Sequence, residues 1–152
     1  MKEQERLVSL FGKLYDGEPW IDVNLVSTLN TISANQAHQR PLPNCNTIWE
    51  ITNHIIAWRQ NVLQRVNGEL IKTPSNNYIT SVEDTSEEAW KETLNKLAQS
   101  QDQWIRFLKQ TKESDFELVY PNNHMTYYEH IQGVLQHDCY HLGQIVLLSK
   151  QF

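Results

Sequence analysis

Three segments of this chain open with the same device: a Thr, then a Glu three residues later, then apolar residues at spacings of three and four. In such a capping box the Thr hydroxyl accepts from the free amides of a helix's first turn, and the Glu reaches back to the cap amide. Thr47 with Glu50, Thr85 with Glu88 and Thr126 with Glu129 all fit. They predict three long helices: from Thr47 to a stop at Asn67-Gly68, from about Ser86 to Lys112, and from about Tyr127 to Lys150. A fourth, the first in the chain, is predicted from Glu3 to Tyr15, with Leu7, Leu10, Phe11 and Leu14 on one stripe and Asp16-Gly17 ending it. With five glycines and almost no alternating apolar pattern, the chain reads as all-α.

Short helical stretches are expected from Asp22 to Leu29 and from Ser33. They precede a loop over Arg40 to Asn46, where Pro41 and Pro43 restrict the backbone. The polar run from Glu69 to Asp84 is a crossover loop, long enough to act as a rim or lid. Four amphipathic helices so joined make a four-helix bundle with short extra helices between the first and second long ones. In such a bundle, metal sites are built in the core from side chains on facing helices. Residues 1–152 are expected to form one domain.

Thirteen Lys and Arg against eighteen Asp and Glu leave a net charge of −5, and the basic residues are scattered. A nucleic-acid partner is not expected, because such binders gather a basic excess on one face. No apolar run is long enough for a membrane span, and no signal-peptide pattern is present. Cys45 and Cys139 have neither C-x-x-C nor zinc-ribbon spacing, so a cytoplasmic, reducing location is expected.

His137 and His141 are spaced i and i+4 in the last helix, about 6 Å apart along its axis, a separation at which both imidazoles reach one ion. On a wheel of about 100° per residue, Val134, Ile145 and Leu148 share their face, so the pair points inward. His54 lies at the edge of the apolar stripe of the second long helix, beside Ile51 and Trp58. Three inward histidines on two helices, two of them at ligand spacing, point to a metal site of the Zn²⁺ type with a position open to water. His130, seven residues before His137 and roughly 10.5 Å from it along the axis, is too far to share the ion, and is expected to line the pocket or sit solvated at the helix start.

Cys139, two residues on from His137, faces elsewhere. The segment from His137 to His141 approaches the zincin motif H-E-x-x-H, but Asp138 stands where the general-base Glu belongs, which argues against a protease. Asp138 is equally consistent with orienting a ligand imidazole and with a surface salt bridge. Gly143, inside a helix, suggests close helix packing. Gln144 borders the histidine face, and Trp58, Tyr127 and Tyr140 are candidates for a cavity wall or for plain core.

The chain resembles the DinB-like (DinB/YfiT) superfamily of bacterial metal-binding four-helix bundles over nearly its whole length. The resemblance is carried by Trp20 before a short helix, by Thr47-Ile48-Trp49-Glu50-Ile51-Thr52-Asn53-His54 followed by Trp58, and above all by His137-Asp138-Cys139-Tyr140-His141-Leu142-Gly143-Gln144-Ile145. It implies that His54, His137 and His141 form a metal triad holding Zn²⁺ or Ni²⁺, and that the protein is a homodimer. Members with known activity include S-transferases acting with the low-molecular-weight thiols bacillithiol or mycothiol, and a thiol-dependent isomerase. The resemblance thus implies a metal-activated thiolate presented to an electrophile. Hydrolysis of an amide or ester by metal-activated water, and a non-catalytic stress-related metal-binding module, are the alternatives.

Overall fold

The computed structural model describes residues 1–152, which form six α-helices and no strands. They are α1 (Glu3–Tyr15), α2 (Leu25–Leu29), α3 (Ala34–His38), α4 (Ile48–Val66), α5 (Glu87–Gln110) and α6 (Tyr127–Ser149). A single 3₁₀ turn over Glu113–Glu117 lies between α5 and α6. The four long helices close a ring, in which α4 packs on α6 and α5 while α1 packs on α5 and α6. The short helix α3 lies against α4 and α5, and α2 against α1 and α6.

Two of the three predicted boxes cap helices as expected. The Thr47 hydroxyl accepts from the Glu50 amide at 3.1 Å and the Glu50 carboxylate accepts from the Thr47 amide at 2.8 Å; Thr126 and Glu129 repeat the arrangement. The third does not form, because the cap of α5 is Ser86, whose hydroxyl accepts from Ala89. Asp84 Oδ1 accepts the Ser86 amide at 3.0 Å, a local turn that presents Ser86 rather than Thr85 to the free amides.

The core joins Leu7, Phe11 and Leu14 of α1 to Trp49, Ile51 and Ile55 of α4, Trp90, Leu97 and Trp104 of α5, and Ile131, Leu142 and Ile145 of α6. Leu10, expected inside, is 46 % exposed, since it falls at the edge of the stripe that Leu7, Phe11 and Leu14 define. Gly143 also departs from expectation. It is exposed, and a Cβ there would meet no atom within 4 Å, so no close packing requires it. At about 240° from His137 on the wheel it faces solvent.

Helix α4 ends where Gly68 adopts φ +90, a conformation that suits glycine, and the Glu69 amide donates back to the Gln64 carbonyl. The chain then runs back along the outside of α4. Tyr120, fully buried, ties this crossover to the turn before α6, because its hydroxyl accepts from the Ile71 amide at 2.9 Å. That turn is closed by Tyr120 and Met125, with His124 at φ 58. No helix is long and apolar enough to cross a membrane.

Candidate metal centre

The mid-part of α4 and the middle of α6 face each other, and His54, His137 and His141 meet there. Their candidate donor atoms all lie within 4.8 Å of one another, a set of three able to hold a metal ion. His54 Nε2 and His137 Nε2 are 3.0 Å apart. A tetrahedral ion with bonds of about 2.0–2.1 Å places its ligand nitrogens roughly 3.3 Å apart, so small side-chain shifts suffice.

The outer nitrogens determine which atoms are free to coordinate. His54 Nδ1–H donates to the Asn77 carbonyl at 2.7 Å, and His141 Nδ1–H donates to Gln144 Oε1 at 2.7 Å. Each bond fixes the tautomer that leaves the Nε2 lone pair pointing inward. With His54 Nε2 committed as an acceptor, the 3.0 Å contact to His137 requires a proton or a cation between the two rings. The residues present therefore fit a divalent ion.

Burial lowers the pKa of His54, helped by the neighbouring His137 imidazole and opposed by the Asn77 hydrogen bond. Burial likewise pushes His141 down to about 4, against its bond to Gln144 and the nearby Asp138 charge and with the other two histidines adding to the effect. A neutral imidazole at physiological pH is the ligand form.

Asp138 is fully buried, which removes the surface salt-bridge reading. Its Oδ2 accepts from Arg59 Nε at 2.8 Å, and both side chains are shielded from solvent. Its Oδ1 has no hydrogen-bond partner and stands 3.8 Å from His137 Nδ1. The carboxylate thus favours the His137 tautomer with the proton on Nδ1, the one that frees Nε2. Arg59 Nη1 also donates to Gln101 Oε1 at 2.9 Å, so one buried guanidinium links α4, α5 and α6. Nothing local in the sequence marks Arg59 as buried; its partner is 79 residues away.

Trp58 packs beside the triad, 6.5 Å from the His54 ring and 6.0 Å from the His137 ring, and its indole N–H donates to Asn77 Oδ1 at 3.0 Å. Asn77 thus grips both His54 and Trp58, so the crossover loop forms one wall of the site, as its length suggested. A pocket of about 240 Å³ opens from His137 between Trp58, Val62, Arg65, Met125 and His130. His130 is 5 % exposed and 3.3 Å from Asn123 Oδ1, which places it in the pocket lining and not in solvent. Tyr127 is elsewhere. It lines a different cleft with Phe107, Phe116 and Ile131, because it begins α6 on the side facing α5 and the 3₁₀ turn. Tyr140 is 65 % exposed and only touches His141 edge-on at 5.0 Å, and Cys139 is exposed and free, outside the cluster.

A family model described as the DinB superfamily matches residues 23–145, a span that takes in α2 through most of α6 and all three histidines. The chain belongs to the DinB superfamily. Comparison with curated proteins and with solved structures returns no match. Within this DinB-superfamily chain, Trp20, one of the residues that suggested the family, is 96 % exposed and lies outside the matched span.

Proposed function

We propose that His54, His137 and His141 hold a divalent ion, Zn²⁺ or Ni²⁺, and that the protein is a metal-dependent S-transferase that joins a low-molecular-weight thiol of the bacillithiol type to an electrophile. The observation that carries this reading is the convergence of inward-facing imidazoles, with a pocket opening beside His137. Three donors without a fourth His, Cys, Asp or Glu in the group support an open, reactive site over a closed structural one. When bound, such an ion supplies Lewis acidity that lowers the pKa of a coordinating thiol.

The chain's own residues supply orientation and exclusion of water. Asn77 and Gln144 hold two of the imidazoles by hydrogen bonds at their outer nitrogens and the Asp138 carboxylate faces the outer nitrogen of the third at 3.8 Å, while Trp58, Val62 and Met125 give the pocket an apolar wall. In the transfer the thiol proton leaves to solvent, a sulfur–carbon bond forms, and the leaving group of the electrophile departs with its electron pair. His130 and Trp58 line the space beside His137 into which the reacting molecules would extend. A homodimer belongs to the same reading, and sedimentation of the purified protein tests it.

The catalytic test is a conjugation assay on the metal-loaded protein, with several thiols against a chromogenic electrophile, run with and without chelator. Chelator-sensitive turnover is expected. Turnover that ignores chelator, or none with any thiol, would overturn the transferase reading. Chelator-sensitive cleavage of esters or amides in its place would move the assignment to a hydrolase.

A further inference from the structure

The pocket beside His137 contains one positive charge that nothing in the protein neutralises. Arg65, on the last turn of α4, forms no ion pair, and its one hydrogen bond to the protein runs from Nη2 to Thr73 Oγ1 at 3.1 Å. Its Nε is buried without an acceptor. The guanidinium is held between two aromatic faces, 5.5 Å from the Trp58 ring and 5.2 Å from the Tyr120 ring. Such stacking restrains the head group in position but leaves its donors unspent. Its charge is felt in the pocket, since Arg65 adds to the burial that lowers the pKa of His130. Glu129, the carboxylate that acts on His130 in the opposite direction, is bound by the Thr126 amide and hydroxyl in the helix cap.

We infer that Arg65 is an anion-recognition residue, and that the small molecule processed at the triad carries a carboxylate which Arg65 engages while the reacting end faces His137. The inference rests on the reading of the triad as a metal-centred reaction site and specifies its substrate class. Trp58 connects the two ends, because the ring that stacks on Arg65 also lies 6.0 Å from the His137 ring. Val62, Met125 and Val134 line the stretch between them, which suits an apolar spacer. Guanidinium–carboxylate hydrogen bonds are charge-assisted, and a pocket partly screened from water strengthens them. A structural role for Arg65, bracing the crossover loop through Thr73 and Tyr120, makes the opposite prediction about ligand charge.

The experiment titrates Co²⁺-loaded protein with mercaptohexanoate and with its uncharged counterpart mercaptohexanol, read by the sulfur-to-cobalt absorption band. The same pair is run on Arg65→Met, which keeps the stacked stem, and on Arg65→Lys, which keeps the charge. Wild type is expected to prefer the carboxylate by at least about tenfold. The preference should disappear in Arg65→Met and survive in part in Arg65→Lys, with cobalt stoichiometry unchanged in all three. Equal affinity for the two thiols in wild type, or a preference retained in Arg65→Met, would overturn the assignment. If cobalt or both thiols fail to bind, the metal–thiol reading falls. Calorimetry of hexanoate against hexanol then reads the anion subsite alone: hexanoate binding lost in Arg65→Met sustains it, and no discrimination overturns it.

Discussion

Arg59 Nε donates to Asp138 Oδ2 at 2.8 Å with both side chains fully out of solvent, directly behind the histidine that opens onto the pocket. Taking two charges out of water is expensive, and their attraction repays it only when the geometry is good and other hydrogen bonds help. Gln101 and Ser100 supply such help to Arg59, while Asp138 Oδ1 is left for His137. Removing one partner strands the other. Asp138→Ala should therefore cost about 3–5 kcal/mol in urea unfolding, whereas the double change Arg59→Met with Asp138→Leu should recover most of it. If the single change costs no more than the double, the pair is not holding α4 to α6.

Protonation competes with the site. The folded-state pKa of His141 is about 4, and that of His54 is also lowered, both chiefly through burial. A depressed histidine pKa means that the unfolded chain takes up protons the native chain refuses, so stability rises with pH across the gap. For the metal-free protein this contribution is complete above the unfolded imidazole value of roughly 6.5 and is lost as pH falls towards that of the folded state. The His141 ring keeps some contact with solvent, which reduces its share of the effect. Urea midpoints should fall between neutral pH and about pH 4.5, and His141→Gln should flatten part of that fall. Identical pH profiles for the two proteins would contradict the assignment.

The crossover loop sets His54 through the backbone carbonyl of Asn77, which, like Tyr78, has a left-handed conformation, with φ 53 and φ 60. Asn tolerates that region and a β-branched residue does not. Asn77→Val should lower metal affinity by roughly tenfold or more although it removes no ligand, because the partner orienting a ligand imidazole is displaced. Asn77→Gly should keep the carbonyl in place and lose only the bond to Trp58. Equal metal affinity in wild type and the Val variant, measured by competition with a chromophoric chelator, would argue against control of His54 by the loop.

Gly143 offers a stability test with no link to the site. Its φ is ordinary, and the space beside it is open. Gly143→Ala should stabilise the protein by up to about 1 kcal/mol through helix propensity alone. A loss of stability would reinstate the close packing that a glycine in a helix first suggested.

The sequence revealed what depends on neighbours along the chain. The boxes at Thr47 and Thr126 are closed within four residues, and the i,i+4 spacing of His137 and His141 follows from helix geometry alone, so both were readable. The box at Thr85 misled because Ser86 offers the same chemistry one residue later, and the choice depends on the turn made by Asp84. Arg59 was missed for a different reason. A charged residue on a helix reads as exposed unless its partner is known, and Asp138 is brought to it only when α4 meets α6. Asn77 and Arg65 were hidden in the same way, one in a loop and the other in a last turn where basic residues are ordinary.

Whether three imidazoles jointly hold one ion is tested most directly by Co²⁺ titration followed by visible absorption. Wild type should bind one equivalent with a spectrum of nitrogen-ligated, low-coordinate cobalt, and His137→Ala should lose that binding while its helical circular dichroism stays unchanged. Undiminished one-to-one binding in a folded His137→Ala protein, or no binding by wild type, would contradict it.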